Sequence, residues 1–165
     1  MQENQQNLEK DEISLKEYLA FLVATGGFVG KIPIAPGTLG TLVAIPIMFI
    51  YWDKGILAQL SIAAAVFFIG LWASIVIVEK YKEKDPEYIV IDEIAGFMIT
   101  MIGIKLTLIH LALGFILFRL YDILKPPPIK MFEKLPSGLG VMADDIVAGV
   151  YAWLCLFLIV KIFNI

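Results

Sequence analysis

Residues 55–78, GILAQLSIAAAVFFIGLWASIVIV, run for 24 positions without a charge. A helix crossing a hydrocarbon core of ~30 Å needs about 20 such residues at 1.5 Å each, so this stretch alone predicts a membrane span. The rest of the chain agrees: 165 residues are 59% hydrophobic and 18% charged, with a mean hydropathy of +0.84, against roughly 45–50% apolar and 25% charged residues in soluble domains. A net charge of -3 offers no basic patch for nucleic acid. One cysteine, Cys155, and one histidine, His110, both inside apolar runs, exclude disulfide frameworks, zinc fingers and His-rich metal sites within the chain. Any metal must be held by oxygen.

The other apolar runs are shorter. Ile32 to Trp52 opens with Pro33, Pro36 and Gly37, which leaves Leu39 to Trp52 as regular helix. Ile94 to Phe118 is apolar except for Lys105 and His110, and reads either as one span or as two short helices turning at Gly103-Ile104-Lys105. A single span places Asp92 and Glu93 roughly 40 Å from Arg119 and Asp122 by helix rise; a hairpin brings them together. Ile146 to Val160 is a brief final run. Ahead of all these, Ser14 and Glu17 have capping-box spacing, so a helix starts near Leu15, runs to about Ala24 and lies at the membrane surface. Met1 to Lys16 lacks the basic start and apolar stretch of a cleaved signal.

If the hairpin holds and polar segments alternate sides, Lys31, Lys80, Lys82, Lys84, Arg119, Lys125, Lys130 and Lys134 share one face, while Lys54, Lys105 and Lys161 lie on the other. Positive residues in short loops favour the cytoplasm, which makes the motif-rich face cytoplasmic. Tyr51, Trp52, Tyr81, Tyr88 and Tyr121 fall near helix ends, where amphipathic rings rest. A greasy soluble bundle is the alternative for helices of 11 to 15 residues; residues 55–78 argue against it. The expected fold is an all-α, small polytopic membrane bundle with short helices and a polar site at one membrane face. A polar extension over residues 1–14 precedes a single domain over 15–165.

The acids carry the chemistry. Asp92-Glu93 precedes Ile94-Ala95-Gly96, and Asp144-Asp145 precedes Ile146-Val147-Ala148-Gly149. Each pair therefore stands at an expected helix start, with a glycine four residues after one acid and on the same face. Such a glycine lets a second backbone approach closely and would gather both pairs around one centre. Helix capping is the bland explanation, but one acid suffices for a cap, and a second acid at the edge of hydrocarbon is costly. Arg119, Asp122 and Lys125 recur every three residues and share a face; on their own they read equally as a surface salt bridge. Together, Asp92, Glu93, Asp122, Asp144 and Asp145 could not all stay ionised without cations. Hard divalent ions with oxygen ligands, Mg2+ foremost, resolve this and make a phosphate welcome, with Arg119 and Lys125 holding its oxygens.

A third element is Thr25-Gly26-Gly27-Phe28-Val29-Gly30 followed by Pro33 to Thr41. Glycines such as Gly37 let amides face an anion, and Thr38 would cap a helix starting near Leu39, a natural phosphate site. Glycines also serve membrane helix packing, and no Walker A pattern is present. Cys155 lacks the arginine-bearing loop of a cysteine phosphatase, and His110 reads as a core or interface residue. What remains is attack of a metal-activated water on phosphorus while a carboxylate takes its proton; a phospho-aspartate route stays open.

Four blocks in order, Pro36-Gly37-Thr38-Leu39-Gly40-Thr41, Ile91-Asp92-Glu93-Ile94-Ala95-Gly96, Phe118 to Pro126 and Gly138 to Gly149, resemble the signature blocks of the phosphatidylglycerophosphatase A family over about residues 25–149. The resemblance implies a small helical phosphatase of the bacterial inner membrane that depends on Mg2+, one or two ions, with Mn2+ as a substitute. Its substrate would be phosphatidylglycerol phosphate, converted to phosphatidylglycerol in phospholipid biosynthesis. It also implies that Asp92, Glu93, Asp122, Asp144 and Asp145 carry the catalytic and metal roles, and that Gly37, Thr38, Arg119 and Lys125 bind substrate. Lys31 departs from the family's first block and stands as a lipid-phosphate contact only. The alternatives are a phosphatase or phosphotransferase for another lipid phosphate, or a cation transporter subunit, which would place acids at helix centres.

Overall fold

The computed structural model describes residues 13–165 and is all-helical. Seven α-helices occur among the described residues: α1 Leu15–Ala24, α2 Pro36–Phe49, α3 Ile56–Tyr81, α4 Ile91–Met101, α5 Leu108–Leu124, the single turn α6 Ile129–Phe132, and α7 Gly138–Phe163. Helices α3 and α7, 26 residues each, are long and apolar enough to cross a membrane. The expected small helical membrane bundle is therefore found. Of the polar extension over 1–14, all but Ile13 and Ser14 lies outside the described residues.

Helix α1 begins where the capping box places it: the Ser14 amide donates to Glu17 Oε2 at 2.8 Å and the Glu17 amide to Ser14 Oγ at 3.3 Å. Ala20 and Ala24 are fully buried, and α1 packs along α3, where Lys80 Nζ meets Glu17 Oε2 at 2.6 Å. Leu15, Tyr18 and Leu19 point outward.

The stretch 94–118 resolves as the hairpin. Helix α4 ends at Met101, Gly103 turns the chain at φ +73, and Thr107 caps α5 by accepting the His110 amide at 3.2 Å. The turn is held from outside: Gln59 Oε1 accepts the Gly103 amide at 2.9 Å, Trp52 Nε1 donates to the Ile104 carbonyl, and Trp153 Nε1 donates to the Ile102 carbonyl, both at 2.8 Å. These partners satisfy backbone groups that lipid would leave stranded. Trp52 is a buried part of this clamp, and Tyr51 beside it is buried as well.

Two helix starts differ from expectation. Helix α2 opens at Pro36, not Leu39, with Ala35 at its N-cap and no side-chain cap. Proline at the first helical position lacks only an amide that would be unpaired there anyway. Thr38 therefore sits within the first turn and caps nothing. Helix α7 opens at Gly138 rather than near Asp144. No proline interrupts residues 138–145, and Gly138 fits because a Cβ there would collide with the α3 backbone at Ser74 and Ile75. Asp144 and Asp145 thus lie in the second turn of α7.

Helix α4 sits at the centre, packed most extensively on α7 and also on α2, α3 and α5. The glycines set its distance from α7. A Cβ on Gly149 would collide with the Gly96 carbonyl oxygen, and one on Gly96 would lie 2.7 Å from the Asp145 carbonyl oxygen. Direct backbone contact at this crossing brings the first turn of α4 level with the second turn of α7.

Candidate active site

A cavity of about 310 Å³ opens at that level. Its walls are Ala35, Pro36 and Gly37 from the start of α2, Asp92 and Glu93 from α4, Arg119, Asp122 and Ile123 from the end of α5, Lys125, and Val141, Asp144 and Asp145 from α7. The 85–89 linker closes the side with Asp85, Pro86, Glu87 and Ile89. All five acids, Gly37, Arg119 and Lys125 thus meet in one pocket; Thr38 does not line it.

The acids fall into two groups. Oxygens of Asp92, Glu93 and Asp145 lie within 4.8 Å of one another, and Asp92 and Asp145 are 7% and 4% exposed. The other two are held by cations. Arg119 Nη1 donates to Asp122 Oδ2 at 2.6 Å and lies 3.6 Å from Glu93 Oε1. Lys125 Nζ donates to Asp144 Oδ2 at 2.6 Å and lies 3.8 Å from Glu133 Oε2. Burial works against the Lys125 ammonium, but the Asp144 and Glu133 carboxylates outweigh it and hold the group above the ordinary lysine range.

Local structure explains how these side chains reach the pocket. Arg119, Asp122 and Lys125 share a face of the last α5 turn, and Lys125 ends the helix in the left-handed region at φ +41, its amide returning to the Tyr121 carbonyl. Ala35 turns into α2 at φ +48. Two non-glycine residues in this sparsely populated conformation thus lie in the pocket wall, where such strain tends to gather. Gly37 is required for space: a Cβ there would collide with Glu93 Oε1 and lie 3.0 Å from Arg119 Nη1. Asp92 Oδ1 accepts the Glu93 amide at 3.0 Å, and Asp144 Oδ1 accepts the Asp145 amide at 3.1 Å. Capping at a helix start thus accounts for neither acid of the α7 pair.

The donor set suits a hard cation: three carboxylates converge, all oxygen, and Glu93 Oε2 is buried with no partner among the described residues. Arg119 Nε is likewise buried and unpartnered. A buried acceptor and a buried donor left open on facing residues are what a cation and an anionic ligand would complete. His110 and Cys155 lie elsewhere: His110 Nδ1 pairs with the Lys105 carbonyl oxygen at 2.9 Å, and Cys155 Sγ lies 3.1 Å from the Tyr121 hydroxyl.

Sequence reasoning missed Asp85 and Glu87, which lie in a stretch dense in charges of both signs. Pro86 between them is buried, and a proline turning the chain shortly before Asp92 was the available signal. The glycine-rich 25–30 segment is also placed differently. It forms a tight turn against residues 88–90, with Gly30 facing the Tyr88 carbonyl and the Val90 amide donating to Ala24. Lys31 is exposed, its Nζ over the rings of Phe21 and Tyr88.

Fold and site together define a helical membrane protein whose polar chemistry rests on carboxylates, one arginine and one lysine gathered at one end of the bundle. The family model described as Phosphatidylglycerophosphatase A matches residues 22–160. The chain belongs to the phosphatidylglycerophosphatase A family and is a phosphatase. A protein of Bacteroides thetaiotaomicron named "Putative phosphatidylinositol-3-phosphatase" is 33% identical over 145 residues, covering 83% of this chain and 91% of the relative. Phosphatidylglycerophosphatase A of Escherichia coli is 36% identical over 135 residues, 78% of this chain and 76% of the relative. Phosphatidylglycerophosphatase A of Haemophilus influenzae is 36% identical over 141 residues, 84% and 86% respectively. No solved structure matches the chain significantly.

Proposed function

We propose that this protein hydrolyses phosphatidylglycerol phosphate to phosphatidylglycerol and inorganic phosphate, with Mg2+ as cofactor. The observation that carries the reading is the convergence of Asp92, Glu93 and Asp145 within 4.8 Å, beside an arginine with an open buried Nε. Asp92, Glu93 and Asp145 would hold the divalent ion, which when bound supplies positive charge for the phosphoryl oxygens and makes water a better nucleophile. Arg119 would turn part of its guanidinium from Asp122 toward the phosphate, where planar donors suit a phosphoryl group. Lys125, held by Asp144, would stand at the other side of the same anion. A carboxylate of the set takes a proton from the attacking water as the new P–O bond forms. The ester P–O bond breaks, and the glycerol oxygen leaves and gains a proton.

Gly37 would let the start of α2 approach the anion with its free amides. Thr38, one residue outside the pocket wall, would act on phosphate only through that turn. Residues 15–165 would form one domain crossing the membrane several times, with the pocket at the cytoplasmic face. That side carries Lys80, Lys82 and Lys84 beside Arg119 and Lys125, whereas the hairpin turn carries Lys105. Acyl chains would stay in the bilayer beside Ile123 and Leu124, which are 68% and 66% exposed.

The test is phosphate release from phosphatidylglycerol phosphate in mixed micelles, with Mg2+ and with a chelator. Rapid release that the chelator stops is expected; none with Mg2+ or Mn2+ from folded protein refutes the assignment. The Bacteroides relative's name favours a second reading, in which the same pocket serves another lipid phosphate. Phosphatidylinositol 3-phosphate in a parallel assay decides between them by relative kcat/KM.

A further inference from the structure

A second cavity, of about 530 Å³, lies at the other end of the bundle. It is bounded by the hairpin turn and the last turns of α7, including Lys105, Thr107, His110, Phe157, Val160 and Lys161. Helix α5 separates it from the acid pocket: Thr107 caps one end and Lys125 the other, and seventeen residues span ~25 Å. Charge there has the opposite character. Among the described residues Lys105 and Lys161 form no ion pair within 4.0 Å; the start of α5 contributes the positive end of one helix dipole and the last turn of α7 the negative end of another. His110 is 4% exposed, and its Nδ1–H donates to the Lys105 carbonyl oxygen, which leaves Nε2 as an acceptor and no donor to an anion. Asp53 borders the adjoining cavity that shares Lys105, without pairing to it. Phe157 and Val160 supply an apolar wall, with Lys161 Nζ 5.7 Å from the Phe157 ring centroid.

We propose that this cavity is a second, non-catalytic site for an anionic phospholipid, its phosphate between Lys105 and Lys161 and its acyl chain along Phe157 and Val160. Two ammonium groups without an ion pair among the described residues favour an anion. The apolar wall favours a lipid over free phosphate. The site sits at the membrane face opposite the acid pocket, so it takes lipid from the other leaflet and does not depend on the proposed reaction.

The test counts lipid retained by the purified protein in native mass spectrometry, using phosphatidylglycerol, neutral phosphatidylcholine and inorganic phosphate as separate probes. The wild type is expected to retain phosphatidylglycerol over phosphatidylcholine. The double variant Lys105→Gln/Lys161→Gln, altered at two exposed side chains, is expected to bind phosphatidylglycerol roughly tenfold or more weakly. A double variant Arg119→Gln/Lys125→Gln, which empties the acid pocket of cations, is expected to keep this binding. That arm separates failure of this site from failure of the phosphatase assignment. Equal retention of phosphatidylcholine, unchanged binding in the Lys105/Lys161 variant, or loss that follows Arg119 and Lys125 instead would overturn the proposal. Displacement of the lipid by millimolar inorganic phosphate would overturn the lipid assignment.

Discussion

Replacing Gly149 by alanine adds one methyl group at the crossing of α4 and α7, far enough from the pocket to touch no acid. The new Cβ would collide with the Gly96 carbonyl oxygen and lie 3.1 Å from its carbon and 3.2 Å from its Cα. All three atoms are helical backbone, so no side chain can swing aside; the helices must separate by about 1 Å to restore ordinary contact. Overpacking of this kind costs about 1–3 kcal/mol of stability. The larger effect falls on geometry, since α4 carries Asp92 and Glu93 while α7 carries Asp144 and Asp145. A displacement of about 1 Å at a reacting centre can cost on the order of 100-fold in rate. The assay is kcat/KM for phosphate release, with thermal melting to show that the variant remains folded. Gly114→Ala is the control: its Cβ would lie 2.7 Å from Met101 Sδ, the far part of a flexible side chain that can yield. The expected result is a loss near 100-fold for Gly149→Ala and less than about threefold for Gly114→Ala. Equal activity of the two variants would refute the claim that this backbone contact sets the register of the acids.

Three shorter predictions follow. Asp145→Asn is expected to abolish phosphate release while melting within a few degrees of wild type; near-normal turnover would remove Asp145 from the chemistry. Gly37→Ala pushes the Glu93 carboxylate away from the start of α2 and is expected to lower activity about tenfold or more, with thermal melting to show that the variant remains folded; wild-type kcat/KM would refute the need for a bare backbone there. Glu17 is held below the usual carboxylate range, chiefly by its hydrogen bond to Lys80. Its folded value is depressed, so its stabilising effect is complete above the ordinary value of 4.5 and fades as pH falls through the folded one. The melting difference between wild type and Glu17→Gln is expected to be present at pH 7 and to shrink below pH 4.5; a pH-independent difference would assign the effect to the cap alone.

The parts of this fold legible in the sequence were those with a local physical cause. Ser14 and Glu17 announce the start of α1 because a cap is made by four consecutive residues. Residues 55–78 announce α3 because length and apolarity suffice. The hairpin was one of two readings because nothing local distinguishes a turn at Gly103 from a glycine inside a helix. The deciding partners, Gln59, Trp52 and Trp153, are 44 to 52 residues away along the chain. The early start of α7 is illegible for a related reason: Gly138 and Gly140 look like a loop, whereas they are glycines because Ser74 of α3 and the Leu135 carbonyl leave no room for a Cβ.

The acids were legible for a different reason, and it bears on how the pocket works. A carboxylate at the edge of hydrocarbon is expensive, so seven acids outside the obvious charge runs form a short list from composition alone. Sequence could not divide that list, and the structure does. Asp122 and Asp144 each hold a cation at 2.6 Å, whereas among the described residues Asp92 and Asp145 have no cationic partner within 4.0 Å. Removing either member of a half-buried pair leaves the other charge uncompensated, so Asp122 and Asp144 keep Arg119 and Lys125 charged and oriented before any ligand arrives. A cation already fixed in place loses little further freedom on binding a phosphate. Asp92 and Asp145, lacking that compensation, and Glu93, whose Arg119 partner at 3.6 Å is shared with Asp122, retain the unspent demand for positive charge that the proposed divalent ion would meet. The two halves of the acid set are therefore complementary, one positioning cations for the phosphate and the other drawing the metal.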